Sequence, residues 1–335
     1  MKCVQFESTG EPSRVLTCVE CDRPSPKHGE VLVRMLASPV NPSDLMFVRG
    51  VYGVEPQLPQ SPGFEGVGIV EASGGGLRGK LFHRKRVAVL NRAGGNWSEY
   101  AVVPAAQVIP VSNQLSVEQA ATFFVNPATA WIMIQEVLKV RSGEWLLQTA
   151  AGSSLGMMVA RLGHSLGFRT LNVVRNEEAV ADLKAAGATE VVVFDPAKDS
   201  VDELLSSIRG IVGERKVRYA IDPVGGATGS AVVKELGHQG RMLVFGTLSE
   251  QPLQLNPRTL MTQQTSVEGF WLGNFMNDRN LLFKLKLVKR ITRLILDGVL
   301  STSIGETFSL DQISQAVTAA EEKARSGKVL LQIGN

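Results

Sequence analysis

Residues 149–156, TAAGSSLG, are the first stretch whose types and spacing point to chemistry. An apolar run, Trp145–Leu147, precedes them, and a helical pattern and a second apolar run, Thr170–Val174, follow. Strand, tight turn and helix in that order present backbone N–H groups at a helix N-terminus, where a pyrophosphate can be held. Such a turn needs small side chains so that phosphate oxygens reach the backbone. Gly152, Ser153, Ser154, Leu155 and Gly156 meet that need, with serine standing where GxGxxG has glycine and adding a hydroxyl donor. An apolar face of Leu155, Val159, Leu162 and Leu166 follows, and Gly163 would let the helix lie close to a sheet. An ordinary tight strand–helix turn is the alternative. The flanking strands favour a dinucleotide.

The end of the second strand selects the dinucleotide. A carboxylate there would grip ribose hydroxyls, whereas a cation suits a 2′-phosphate. The strand ends in Arg175 and Asn176, which points to NADP, although Glu177 works against an added phosphate. A solvated arginine is the plain alternative.

Positioning these residues requires a parallel sheet. From Trp145 onward, apolar segments at 145–150, 170–175, 190–195, 217–224, 240–246 and 265–271 alternate with helical patterns at 154–166, 177–186, 200–209 and 229–236. That rhythm is a doubly wound α/β domain of Rossmann type. Before it, segments at 31–36, 66–72, 85–90 and 98–104 are strand-like and heavily punctuated by Gly and Pro, as a β-rich barrel domain would be. Ser116 is a candidate helix N-cap. After residue 275 come an amphipathic helix with Leu281, Leu285, Val288 and Ile295 near one face, a strand, a helix and a last strand. The tail is expected to return to the first domain, giving 1–118 plus 276–335 and 119–275.

Composition narrows the function classes. A chain of 335 residues accommodates two domains, and a net charge of +3 is too small to imply nucleic acid. No apolar run approaches a membrane span, and the N-terminal MKCVQFESTG shows no leader pattern, so a cytoplasmic chain, or one whose leader is missing, is expected. Cys18 and Cys21 have CxxC spacing, but no second ligand pair accompanies them. His28, His83, His164 and His238 are scattered and read as surface or helix residues rather than ligands. Phe270 and Trp271 read equally as strand core or as a pocket wall. The basic stretch 80–86 and the run Lys284, Lys286, Lys289, Arg290 and Arg293 read as solvated faces, with an anionic carrier as the functional alternative.

The arrangement resembles the medium-chain dehydrogenase/reductase superfamily over nearly the whole chain, with a GroES-like β-rich domain beside the Rossmann domain. In zinc-dependent members, a Cys and a His stand where this chain has Asn41, in NPSD, and Phe64, in PGFEG. Zinc needs three or four converging N, S or O ligands, so the resemblance implies a zinc-free member. The segments NPSD, RGVYG, VNPATAW, LNVVRN, AIDPVGG, LVFGTLSEQPL and GFWLGNF resemble, in order, those of mitochondrial-type trans-2-enoyl thioester reductases. This implies NADPH as cofactor and a small-molecule thioester of CoA or acyl carrier protein as substrate. It implies Tyr52 as proton donor. It implies cofactor contacts at Asn126, Gly152 to Gly156, Arg175, Asn176, Phe245, Gly246, Thr247, Leu248, Phe270, Trp271, Leu272, Gly273 and Lys328. A homodimer paired through the 265–271 strand edge is also implied.

The chemistry agrees with those residue types. Hydride addition to an α,β-unsaturated thioester leaves an enolate, and a phenol can protonate so basic a carbon. Tyr52 lies in a loop, whereas Tyr100 and Tyr219 fall in strand patterns. Three readings stand: an NADPH-dependent enoyl thioester reductase, an NADPH:quinone oxidoreductase, and a non-catalytic NADPH-binding protein.

Overall fold

The computed structural model describes residues 1–213, 217–322 and 327–334. Two compact units form, one from Met1–Val125 with Ser301–Asn335 and one from Asn126–Leu300. The boundaries expected at 118/119 and 275/276 therefore compare with 125/126 and 300/301, and the helix Leu281–Leu296 falls in the second unit.

The first unit opens with a hairpin-like pair, β1 (Lys2–Gln5) and β2 (Thr17–Glu20). Then come β3 (Glu30–Pro39), β4 (Glu65–Ser73), β5 (Arg86–Leu90), β6 (Tyr100–Pro104) and β7 (Val108–Pro110). The second unit carries β8 (Trp145–Gln148), β9 (Arg169–Val174), β10 (Glu190–Val193), β11 (Val217–Asp222), β12 (Leu236–Val244) and β13 (Ser266–Gly269). The chain then supplies β14 (Ile304–Phe308) and β15 (Lys328–Gln332), which join the first unit's sheet in the order β14-β15-β3-β4-β5-β7, with β6 also on β3. β14 and β15 thus belong to the first unit.

Alternation explains the first unit's sheet. Val31, Val33 and Met35 point to one side, and they meet Val70, Val87, Val89 and Val103 in a sealed valine-rich core. A second core gathers Phe6, Phe47 and Trp97 against the helix Ile313–Glu321 and strand residues Val329 and Leu331.

The second unit's sheet is parallel throughout, in the order β10-β9-β8-β11-β12-β13. The strand sequence runs one way from β8 to β10 and the other way from β11 to β13. The reversal falls between β8 and β11, the kind of switch point at which such sheets bind ligands. The helix Ser154–Leu166 matches its expected span because its apolar residues recur every three or four positions: Leu155, Met158, Val159 and Leu162 are buried while His164 is exposed. Gly167 ends it in the left-handed region at φ 76°.

Two local features differ from expectation. In the helix Leu281–Leu296 the buried stripe is Leu287, Ile291 and Ile295, while Leu281 and Leu285 are exposed. Stripes at i, i+4 and i+8 on a single helix can start at different residues, and hydrophobicity alone does not choose between them. The other difference is an unanticipated element, a π-helix at Ile132–Val137 that no sequence pattern announced. Among the described residues no helix is long and apolar enough to cross a membrane.

Candidate active site

The cofactor side is built at one end of the parallel sheet. The expected contacts follow the carboxyl ends of β8, β9, β12 and β13, which pairing brings level: Gln148 opposite Asn172, Val244 opposite Gly269. Between them, β11 ends at Asp222, opposite Val244. The β8 turn is tight. Ala150 sits in the left-handed region at φ 48°, and Gly152 and Ser153 are exposed. Ser153 caps the helix, its hydroxyl oxygen accepting the Gly156 N–H at 3.1 Å. Among the described residues the N–H groups of Gly152, Ser154 and Leu155 have no acceptor, so the turn offers donors to an anion. The turn also excludes larger residues. A Cβ on Gly156 would lie 2.3 Å from the Ala151 carbonyl oxygen, and one on Gly152 would lie 2.8 Å from Ala179 Cβ. Gly163 packs close as anticipated: a Cβ there would come within 2.7 Å of Thr170 Cγ2.

Arg175 is exposed just beyond β9, and Asn176 beside it donates to Glu178 Oε2 at 3.3 Å. An exposed guanidinium is available to a phosphate. Phe245–Leu248 are held against the β11 turn: Phe245 N–H donates to Asp222 O at 3.0 Å and Leu248 N–H to Pro223 O at 2.9 Å. Gly246 permits this approach, since a Cβ would sit 2.8 Å from Pro223 O. Phe270 N–H donates to Val244 O at 2.8 Å, and its ring begins a series with Phe275 and Phe283, centroids 6.0 and 6.1 Å apart. Trp271 is 46% exposed, so it is no core residue, and it opens the short helix Leu272–Asn277 that contains Gly273. Asn126 lies at the start of the helix Val125–Trp131, partly exposed.

Sequence reading missed Asp222 and Thr149. Asp222 is fully buried, accepts N–H donors from Gly225 at 2.8 Å and Val224 at 3.1 Å, and accepts the Thr149 hydroxyl. Together they shape the turn Pro223–Gly226. The acid before Pro-x-Gly-Gly was a turn signal that went unused.

Tyr52 and Lys328 belong to the first unit. Tyr52 lies in the loop after the helix Pro42–Val48, half-buried, its ring 5.2 Å from that of Phe64. Burial, reinforced by the charge of Asp44 and opposed by a hydrogen bond with Ser43, pushes its phenol up to about 12. The proton therefore stays on at neutral pH. Asp44 is fully buried, and its carboxylate accepts the N–H groups of Asn41 at 2.8 Å and Phe64 at 2.9 Å. Glu65, also buried, accepts the N–H groups of Phe124 and Val125 at 2.8 and 2.7 Å. Lys328 is 3% exposed, and its ammonium donates to Asn41 Oδ1 at 2.8 Å. Its positive charge favours the ionised forms of both Asp44 and Glu65.

These side chains do not suit zinc. Asn41 already engages an ammonium, Phe64 has no donor atom, and among the described residues no group of three or more His, Cys, Asp or Glu converges. Cys18 lies on β2 and Cys21 just past it, and burial raises the Cys3 and Cys18 thiols to about 12 and 11, away from thiolate chemistry. The four histidines are exposed.

The cationic run on Leu281–Leu296 borders a cavity of about 490 Å³ with Trp131, Glu136, Phe283, Lys286, Lys289, Arg290 and Arg293 in its wall. Arg290 lies 5.1 Å from the Trp131 ring centroid.

The chain is similar to known proteins over both units. The zinc-binding dehydrogenase model matches residues 154–286, and the alcohol dehydrogenase GroES-like domain model matches residues 27–113. A mitochondrial enoyl-[acyl-carrier-protein] reductase of Caenorhabditis elegans is 33% identical over 275 residues, covering 81% of this chain and 76% of that protein. Escherichia coli quinone oxidoreductase, solved with NADPH, superposes with a TM-score of 0.90 at 24% identity, over 99% of this chain and 100% of that one. An Etr1p complex with NADP and crotonyl-CoA superposes with a TM-score of 0.82 at 25% identity, over 99% of each chain.

Proposed function

We propose that this chain, which belongs to the medium-chain dehydrogenase/reductase superfamily, is an NADPH-dependent reductase of carbon–carbon double bonds conjugated to a thioester. Tyr52 is the observation that carries the reading: a protonated, half-buried phenol fixed in a loop by its neighbours. The relatives named for enoyl thioesters support the substrate class.

NADPH supplies a hydride when bound. The turn 152–156 would hold its pyrophosphate and Arg175 its 2′-phosphate. The segments 245–248 and 270–273 and Asn126 line the nicotinamide side. That hydride would go to the β-carbon, leaving on the substrate an enolate for this chain's own residues to protonate. The Tyr52 phenol then gives its proton to the α-carbon and is reprotonated from solvent. A general acid of this kind contributes about 10²- to 10⁴-fold. No step is assigned to a metal, because Asn41 is bound to an ammonium and Phe64 has no donor atom where zinc-dependent members hold the ion.

The carrier part of the substrate is a finer point. Four cations against one carboxylate, Glu136, around one cavity favour a carrier that is itself an anion, CoA or acyl carrier protein. The edge strand β13 supports a homodimer; light scattering at micromolar concentration is expected to give twice the 36.1 kDa chain mass, and a monomer would count against it.

Purified protein is to be tested with NADPH and crotonyl-CoA, a longer trans-2-enoyl-CoA and a quinone. Thioester turnover well above quinone turnover is the expected result. Quinone turnover alone would instead make the chain a quinone oxidoreductase, and saturable NADPH binding with no turnover would make it a binding protein.

A further inference from the structure

The stretch from Ala72 to Ser98 holds no Asp or Glu, and Arg78, Lys80, Arg84 and Lys85 are among its cations. Within it the short helix Leu77–Phe82 puts its leucines on the outside. At about 100° per residue, Gly79 and Phe82 share one face, and Leu77 and Leu81 share the opposite one. The first face is seated on the first unit. A Cβ on Gly79 would collide with Ser73 Oγ, and Phe82 packs against the valine-rich core. The second face is bare, with Leu77 85% and Leu81 57% exposed. A surface helix ordinarily turns its leucines to the core; here glycine takes that side. Arg78 and Lys80 flank the leucines and are exposed, as are Arg84 and Lys85 in the turn that follows. Arg84 stands in the left-handed region at φ 59°, which arginine rarely adopts. Arg86 instead donates to the carbonyls of Ser112 and Leu115. A neighbouring turn closes on Gly74 and adds Lys27 with one carboxylate, Glu30, which accepts the Lys27 N–H at 2.8 Å. The carboxylates that bound the stretch are engaged elsewhere, Glu71 by Arg23 at 2.5 Å and Glu99 by the Lys2 N–H at 2.9 Å.

We propose that the helix Leu77–Phe82 and the turn after it form a membrane-surface contact: Leu77 and Leu81 enter the headgroup layer of an anionic bilayer, and Arg78, Lys80, Arg84 and Lys85 meet its lipid phosphates. Apolar side chains ringed by cations let a helix lie on such a surface without spanning it. A bilayer takes up protruding side chains without a matching pocket. A protein partner would need one, and a helix of 6 residues is about 9 Å long, a small part of the roughly 800 Å² per side that a stable protein interface buries. A second copy of this chain would bring the same cations against these, and like charges repel. Two leucines and four cations give reversible attachment. Each Lys or Arg near an anionic leaflet strengthens binding about fivefold, and that part weakens as salt screens it. The attachment is independent of the thioester-reductase reading.

Cosedimentation of the full chain with lipid vesicles tests this. Vesicles of phosphatidylcholine with phosphatidylserine are expected to carry the protein down at about 0.01 M salt and much less at about 0.15 M, and phosphatidylcholine alone to leave it in solution. Leu77→Ser with Leu81→Ser is expected to weaken binding to the mixed vesicles about tenfold at unchanged charge, and Lys80→Gln with Lys85→Gln about 25-fold. All four side chains are exposed, so both variants are expected to melt with the wild type. A second readout follows insertion itself: Leu77→Trp is expected to add emission that brominated lipid quenches. Absence of binding to the mixed vesicles overturns the proposal, as does added emission that brominated lipid leaves unquenched. Binding that the leucine pair leaves unchanged also overturns it, and would make the stretch a plain cationic face open to an acidic protein.

Discussion

The Lys328 ammonium donates to the Asn41 side-chain oxygen at 2.8 Å, across 287 residues of sequence. The contact pins β15, the last strand, to the loop that begins the helix Pro42–Val48. It also places one buried cation by two buried carboxylates, Asp44 and Glu65, whose burial raises both pKa values while Lys328 lowers them. Removing one partner of such a buried set leaves uncompensated charge, at a cost of about 3–5 kcal/mol. Lys328→Met is therefore expected to lower the thermal midpoint markedly, as scanning calorimetry would show. Lys328 is also a proposed cofactor contact, and NADPH titration of the folded variant separates the roles: weakened binding supports a cofactor contact, and unchanged binding limits Lys328 to the buried set.

Asp44 makes stability depend on pH. Burial raises its pKa from 3.8 to about 7, against the opposing N–H bonds of Asn41 and Phe64 and the charge of Lys328. A carboxyl raised on folding binds its proton more tightly in the native state. Its contribution is therefore fully present below the unfolded value and lost as pH rises through about 7. The urea-unfolding free energy of the wild type, measured relative to Asp44→Asn, is expected to fall by on the order of 1–3 kcal/mol between about pH 5 and pH 8. A difference that rises over that range would contradict the assignment.

Arg175 is expected to set cofactor choice. Losing one charge-assisted phosphate contact costs about 1.5–3 kcal/mol, so Arg175→Ala is expected to weaken NADPH binding roughly 10- to 100-fold. NADH binding should stay nearly constant. Fluorescence titration of both reduced cofactors measures this, and an equal loss for both would remove Arg175 from the 2′-phosphate.

At the turn 152–156, the proposed phosphate site, two variants separate structure from binding. Gly156→Ala forces a Cβ to within 2.3 Å of the Ala151 carbonyl oxygen, so the turn must open, and NADPH binding is expected to be lost. Ser153→Ala removes only the helix cap, with an expected loss of about 1 kcal/mol in stability. Calorimetry and cofactor titration on each variant check both statements.

The doubly wound sheet was legible because its signals are local. The helix Ser154–Leu166 follows from the spacing of Leu155, Val159 and Leu162, and β8 to β13 follow from apolar runs between helical patterns. The need for small residues at Gly152 and Gly156 was legible for the same reason. The tie of Lys328 to Asn41 was not, because no local period links residues at opposite ends of a chain. Nor was the role of Asp44. Its spacing from Asn41 is that of a capping box, which the structure forms, but its second partner, Phe64, lies twenty residues away. Periodicity also misplaced the buried stripe of Leu281–Leu296, since it marks a face and leaves open which residues begin it.

The cationic cavity wall has its own test. Lys286→Glu with Lys289→Glu is expected to raise KM for an enoyl-CoA several-fold at low salt, with the effect shrinking as salt screens it. A KM indifferent to both charges and salt would make this a plain solvated face.

The most direct measurement of the central claim is the turnover of NADPH by Tyr52→Phe with crotonyl-CoA and, in parallel, with a quinone, after NADPH affinity has been shown to be unchanged. The expected result is a fall of about 10²-fold or more in kcat for the thioester, with any quinone turnover retained. Thioester turnover at the wild-type rate would contradict Tyr52 as the proton donor, and with it the observation on which the reductase reading rests.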